Sequence, residues 1–250
     1  MRLDSTVDAL DETGADVDVT FRDGEHARYD LVIGADGVHS RVRHLTFPEI
    51  GEEEYVGQVC WRAVAPRPPE VTEYLMYHGA GSKVGLVAIS AEQVYLYMLQ
   101  NVPEPPERRG GDRRDELRAA LAEYGGSVPQ VAATLEPGAE VRRLTSLLVP
   151  APWHRGRAVL IGDAAHATTP HISYGLGIAV EDGLVLTEEL VAHGSTAAAL
   201  NAFSDRRFER ARMVVENSVQ LSKWEQDPHA DMAAYGALIG RTLGALTAPI

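Results

Sequence analysis

Cysteine is nearly missing from this sequence: of 250 residues, only Cys60 is one. No intrachain disulfide can form, and a thiolate metal cluster is excluded. That usage fits a reducing cytoplasm. No stretch reaches the roughly 18 uncharged apolar residues of a membrane-spanning helix, and Met1 to Ser5 shows no apolar signal-peptide core. The expectation is a soluble, cytoplasmic protein. Basic charge is also short: 23 Lys and Arg against 36 Asp and Glu leave a net charge of −13. An acidic surface argues against a nucleic-acid groove or an anionic membrane as partner, since both reward Lys and Arg. Finally, no strand–G-x-G-x-x-G–helix unit, the usual phosphate cradle of dinucleotide sites, is found. Gly79-Ala80-Gly81 lies between apparent strands with no helix after it, and Gly175-Leu176-Gly177 lacks the third glycine.

What is present suits one large domain or two small ones, with 45% hydrophobic and 24% charged residues. Val7 to Leu10 and Val17 to Phe21 read as strands, the second alternating Val17, Val19 and Phe21 with Asp18 and Thr20. Asp23-Gly24 marks a turn. The apolar run Tyr29 to Ala35 reads as a strand covered on both faces of a parallel sheet. From Val56 to Leu99, short Tyr-, Val- and Leu-rich runs around Gly79-Ala80-Gly81 indicate a mostly antiparallel sheet in a second lobe. Asp112 to Tyr124 predicts an amphipathic helix, with Leu117, Leu121 and Tyr124 on one side and Gly125-Gly126 as its stop. Arg157 to Ile161 predicts a strand, Gly175 to His193 a helix, and Thr196 to Trp224 one long helix or two. The 227–250 tail is left without an assignment.

Two segments carry chemistry. In GRAVLIGDAAHATTPHISYGLG, a buried strand ends at Gly162-Asp163, and a loop holding Pro170 leads into a helix. Glycine at 162 allows close backbone approach. A carboxylate at a strand's C-terminal end can accept hydrogen bonds from a sugar-like diol. Gly175 and Gly177 leave helix N–H groups uncovered, so the helix's positive end can face partial negative charge. In DLVIGADGVHSRVR, a strand again runs into an acidic turn, Asp36-Gly37, with Ser40 as the N-cap of a short helix. Arg43 either binds a phosphate, pairs with Asp36, or is a plain surface helix residue.

These segments resemble the DG and GD motifs of the flavoprotein aromatic hydroxylases, the para-hydroxybenzoate hydroxylase-like FAD monooxygenases. The DG pattern reads Asp36, Gly37, Ser40 and Arg43; the GD pattern reads Gly162, Asp163, Ala164, Ala165 and His166, then Pro170 and Gly175-Leu176-Gly177. Tyr55-x-Gly57 and Trp61-Arg62 resemble the start of the intervening lobe in salicylate- and urate-hydroxylase-like members. The resemblance covers about residues 5 to 225.

It implies an α/β fold: an FAD-binding Rossmann-like domain from residues 1–50 and 145–225, its first βαβ unit missing, with a mostly antiparallel β-sheet substrate lobe at 51–144 inserted and a 226–250 tail. It implies that NAD(P)H reduces FAD and that O2 then supplies one oxygen atom to an aromatic or similarly electron-rich small molecule. It implies cofactor contacts at Asp36, Gly37, Arg43, Gly162, Asp163, Pro170, Gly175, Leu176 and Gly177, with Asp163 on the ribityl chain and Asp36 near the pyrophosphate. His171, Tyr174 and Arg62 are the substrate-pocket candidates; no catalytic residue is assigned, and no metal is expected. Against the family pattern the chain starts partway. Leu31 to Ile33 and Val159 to Ile161 should then expose apolar edges, and a separate N-terminal partner chain or a homo-oligomer would complete the fold. The competing reading is a non-catalytic remnant, or half of a split flavoenzyme, that cannot hold FAD alone.

Plainer readings compete at single residues. His166 is read as structural, holding its loop. A His166–His171 metal pair lacks a third ligand. Trp61 is read as core, as are Tyr77, Tyr95 and Tyr97. Cys60 is read as a small core residue, and Arg206, Arg207, Arg210 and Arg212 as a solvated helix face.

Overall fold

The computed structural model describes residues 3–107 and 110–250. They form two compact units, one from 1–54, 145–224 and 229–250, the other from 55–144 and 225–228.

The first unit opens with a meander of β1 (Val7–Glu12), β2 (Val17–Phe21) and β3 (His26–Tyr29), paired antiparallel in that order. Val17 and Val19 point to the buried face, as their alternation with Asp18 and Thr20 requires. β4 (Val32–Gly34) follows and runs into α1 (Arg41–Thr46). The predicted strand from Tyr29 to Ala35 is therefore split: Tyr29 closes β3, and only three residues form β4. Nor is β4 covered on both faces, because it is the outer strand of its sheet and Ile33 is 46% exposed.

The second unit holds a five-stranded sheet ordered β6-β7-β8-β5-β9, antiparallel from β6 through β5. Its strands are β5 (Glu54–Pro66), β6 (Leu75–Gly79), β7 (Ser82–Ala88), β8 (Gln93–Asn101) and β9 (Glu140–Ser146). Between β8 and β9 lie α2 (Arg114–Leu121) and α3 (Val128–Ala133). α3 was not foreseen: it is too short for a 3.6-residue pattern to show, and the Gly125-Gly126 stop does separate it from α2. Val59, Trp61, Ala63 and Ala65 of β5, with Val94, Leu96 and Met98 of β8, face Leu117, Leu121, Val128 and Val131 in one core. The other sheet face carries Cys60, Arg62, Tyr95 and Tyr97, with Arg62 opposite Tyr97 in the ladder. Cys60 is buried, and burial pushes its thiol pKa up, as suits a core residue.

Returning to the first unit, β10 (His154–Arg155) and β11 (Ala158–Leu160) precede α4 (Asp163–His166), α5 (Gly175–Ala192), α6 (Thr196–Gln226) and α7 (Met232–Leu246). β11 lies between β10 and β4 and pairs parallel to β4, with Val159 opposite Ile33. The expectation of exposed apolar edges is met at Leu31 to Ile33, where β4 is the outer strand and Ile33 is exposed, and fails at β11: Val159 and Leu160 are fully buried in a core with Val42, Trp153, Ile178 and Phe203. The unassigned tail contains α7, whose N-cap Asp231 accepts from the Ala233 and Ala234 amides. Among the described residues no helix is long and apolar enough to cross a membrane.

Candidate cofactor site

The DG turn is built locally. One Asp36 oxygen accepts from the Ser40 hydroxyl, and the other from the Arg41 and Val42 amides at 2.7 and 3.1 Å. Ser40 accepts in turn from the Arg43 amide at 2.9 Å, the expected N-cap. The Asp36 carboxylate thus satisfies donors that α1 would otherwise leave open. Arg43 is no surface residue. It is fully buried, donating through Nη1 to the Ala164 carbonyl (3.1 Å) and through Nη2 to the Val38 carbonyl (2.6 Å). Burial lowers its pKa, opposed by the charges of Glu53, Glu52 and Asp36. Arg43 therefore ties the DG turn to the GD helix, and a fully buried guanidinium presents no surface to a phosphate.

The GD turn is built from a distance. Gly162 has φ +59°, a region side chains avoid, and a Cβ there would lie 3.1 Å from Ala179 Cβ. Its N–H donates to Asp182 Oδ2 at 2.9 Å, an acceptor twenty residues further on in α5. His166 Nε2 sits 2.6 Å from the same oxygen, and its ring packs against Trp153. His166 is thus structural, as expected.

The carboxylate of Asp182 is held by α6, where Arg207 Nε donates to Oδ1 at 2.9 Å. Arg207 also pairs through Nη2 with Glu181 at 2.8 Å. Glu181 accepts further from Arg210 and from the Tyr174 hydroxyl, at 2.8 and 2.9 Å. The solvated-face reading of the α6 arginines fails at Arg207, which is fully buried, and at Arg210, which is partly so. It holds for Arg212, paired with the exposed Glu209 and Glu216, and in part for Arg206, an exposed side chain that pairs with the exposed Glu188 and the buried Glu189. Burial pushes the Asp182 carboxyl up, but His166, the Gly162 amide and Arg207 outweigh it, and the net shift is downward. Glu181 follows the same pattern, with burial outweighed by Arg210, Tyr174 and Arg207. Sequence reasoning missed this network. The available signal was an adjacent Glu181-Asp182 pair inside an apolar helix, since buried acids need paired cations.

With the turn fixed in this way, Asp163 is left solvent-accessible at the first position of α4. The surrounding protein still raises its carboxyl pKa by desolvation, partly offset by His166. Pro170 is exposed nearby in sequence. α5 begins at Gly175 with Tyr174 at its N-cap and no side-chain cap, so its first amides are left to an external acceptor. The Tyr174 ring crosses Gly177, where a Cβ would meet it at 2.8 Å. Tyr174 is thereby committed to its own helix, and Leu176 stands 82% exposed. His171 is buried, with Nδ1 2.8 Å from Thr169 Oγ1. Arg62 lies in the second unit, and its Nε is buried without a hydrogen-bond partner among the described residues. A cleft of about 640 Å³ in the first unit is lined by Ser146, Leu148, Val219 and neighbours, and includes none of the three pocket candidates. The only trio of metal-type groups among the described residues is His39, Glu52 and Glu53, with His39 and Glu52 exposed.

These features fit a flavin. The open helix end suits its electron-rich pyrimidine edge, the exposed Asp163 suits ribityl hydroxyls, and Gly162 leaves room for close approach.

A family model described as an FAD binding domain matches residues 2–218. The 2-heptyl-3-hydroxy-4(1H)-quinolone synthase of Pseudomonas aeruginosa is 35% identical over 215 residues, covering 83% of this chain and 56% of its own. The 6-hydroxynicotinate 3-monooxygenase of Bordetella bronchiseptica is 33% identical over 228 residues, covering 86% and 58%. Among solved structures, Klebsiella pneumoniae HpxO complexed with FAD and uric acid matches at a TM-score of 0.81 and 29% identity, over 97% of this chain and 64% of that one. The chain thus spans a little over half the length of these curated relatives. Motif order, fold and family model agree: the chain belongs to the FAD binding domain family.

Proposed function

We propose that this chain works as an FAD-dependent monooxygenase, hydroxylating an aromatic or similarly electron-rich small molecule with NAD(P)H and O2. The observation that carries the reading is the uncapped N-terminus of α5, together with an exposed Asp163 on a turn locked by Gly162. Bound FAD would accept a hydride from NAD(P)H and activate O2. The chain's own residues bind and orient. Asp163 would hold the ribityl hydroxyls, the amides of Gly175 to Gly177 would take the pyrimidine edge, and Pro170 would offer an apolar face to the ring. Asp36 and Arg43 act one step back, fixing the DG turn and holding it to α4. Arg62, on the sheet face that also carries Tyr95, Tyr97 and Cys60, is the group for a polar or anionic substituent of the substrate. The setting is the cytoplasm, where NAD(P)H is available and Cys60 stays reduced.

The test is the visible spectrum of the purified chain after incubation with FAD and gel filtration, followed by NAD(P)H oxidation with phenolic and N-heteroaromatic candidates. Stoichiometric flavin bands and substrate-stimulated oxidation are expected. Colourless protein with no flavin-dependent oxidation would sink the proposal and favour a non-catalytic role.

A further inference from the structure

We propose that Asp182 is the positioning residue of the GD turn, setting from within α5 where the Gly162 backbone, and with it the Asp163 carboxylate, meets the cofactor. This rests on the flavin reading of that turn. Within the turn the Gly162 carbonyl accepts from the Ala165 and His166 amides, both at 2.9 Å, but the Gly162 N–H is taken by a residue outside it. Gly162 has a positive φ that its own neighbours do not enforce, and α4 has no side-chain cap. Besides the Arg43 bond to the Ala164 carbonyl, the restraint on the Gly162 amide comes from one fully buried carboxylate, on which three donors converge: the Gly162 amide at 2.9 Å, His166 Nε2 at 2.6 Å and Arg207 Nε at 2.9 Å. Two of these donors flank Asp163 in the chain. Asp182 lies two turns into α5, so the same side chain also sets the GD turn relative to the open end of that helix. The two parts of the site assigned to the ribityl chain and to the pyrimidine edge are therefore referenced to each other through one carboxylate. Charge favours the arrangement: Asp182 and Glu181 face Arg207 and Arg210, so the acceptor stays ionised although buried.

Asp182→Asn keeps the volume but removes an acceptor and turns an N–H2 toward converging donors. The experiment compares amide hydrogen exchange, read by mass spectrometry on peptides over 158–168 and over 128–136, in wild type and D182N. FAD retention and the bound-flavin spectrum are recorded on the same samples. Exchange in 158–168 should rise about tenfold or more, the scale of one lost charge-assisted hydrogen bond, with 128–136 unchanged. FAD should dissociate more readily, and the bands of any flavin still bound should shift, which a loss of global stability alone would not produce. Unchanged exchange in 158–168 would overturn the proposal, as would faster exchange there with wild-type FAD retention and an unshifted spectrum. Should D182N exchange faster everywhere, His166→Gln decides: its side-chain N–H2 can take the place of the imidazole Nε2 as donor to Asp182, so it must leave Gly162 exchange close to wild type, and a rise as large as in D182N refutes the assignment. If wild type itself retains no FAD, the monooxygenase reading fails while the exchange comparison still judges Asp182.

Discussion

The DG and GD turns look alike in sequence and are built in opposite ways. Each is a strand, an acidic turn and a helix start, with one aspartate at the bend. In the DG turn the aspartate is spent at home, accepting from Ser40, Arg41 and Val42 within six residues. In the GD turn a distant acid, Asp182, accepts from the Gly162 N–H, and the local Asp163 stays exposed. A carboxylate that caps its own helix has few lone pairs left for a ligand; one whose turn is held from elsewhere keeps them. Both acids are exposed, and on the proposed reading the difference makes Asp163 the ligand-facing acid and Asp36 the one committed to its own helix.

The contrast can be broken at several points. Arg207→Ala should have the largest effect, since it strands Asp182 and Glu181 as buried, undercompensated charges. A loss of about 3–5 kcal/mol, read by denaturant unfolding, is expected, and a loss under about 1 kcal/mol would show that α6 does not anchor the GD turn. Asp36→Ala should cost about 1 kcal/mol, an ordinary cap loss, with FAD retained after gel filtration. Complete flavin loss at unchanged stability would make Asp36 a ligand and erase the contrast.

Acid stability offers a finer cut, because the two GD-linked acids shift in opposite directions. Asp182 has a folded pKa below its ordinary 3.8, so its contribution is complete above that value and is lost as pH falls through the lower folded value. Asp163 has a raised folded pKa, so its ionised form is penalised at neutral pH and stability is regained as pH falls through that raised value. Unfolding free energy measured from neutral pH down to about pH 3 should decline less steeply in Asp182→Asn than in wild type. In Asp163→Asn the decline should be steeper. The same slope in all three proteins would contradict both shifts. The smallest stability change belongs to Asp163→Ala, within about 0.5 kcal/mol of wild type as for an exposed site, yet this variant should emerge from gel filtration without flavin.

Much of the scaffold was legible in local pattern. β2 follows strict alternation, the Gly79-Ala80-Gly81 hairpin follows its glycines, and α2 follows Leu117 and Leu121, although it ends at Leu121 and leaves Tyr124 outside. The errors share a cause. The Tyr29 to Ala35 run was read as one buried strand because hydrophobicity does not say where a sheet ends, and β4 proved to be an outer strand. The α6 arginines were read as solvated because charge normally is, and the acids that bury Arg207 come from α5.

The sequence by itself determined the family, the order of the two motifs and the residue types of the turns, because these depend on short-range spacing and on glycine and proline geometry. Only the tertiary structure decided which aspartate is free and which side chains hold it in place. Asp36 meets its partners along the chain, whereas Gly162 meets Asp182, and Asp182 meets Arg207, only when α5 and α6 pack together. A hydrogen bond between residues twenty or more apart leaves no periodic trace in a sequence, and burial alone makes such a bond strong enough to matter.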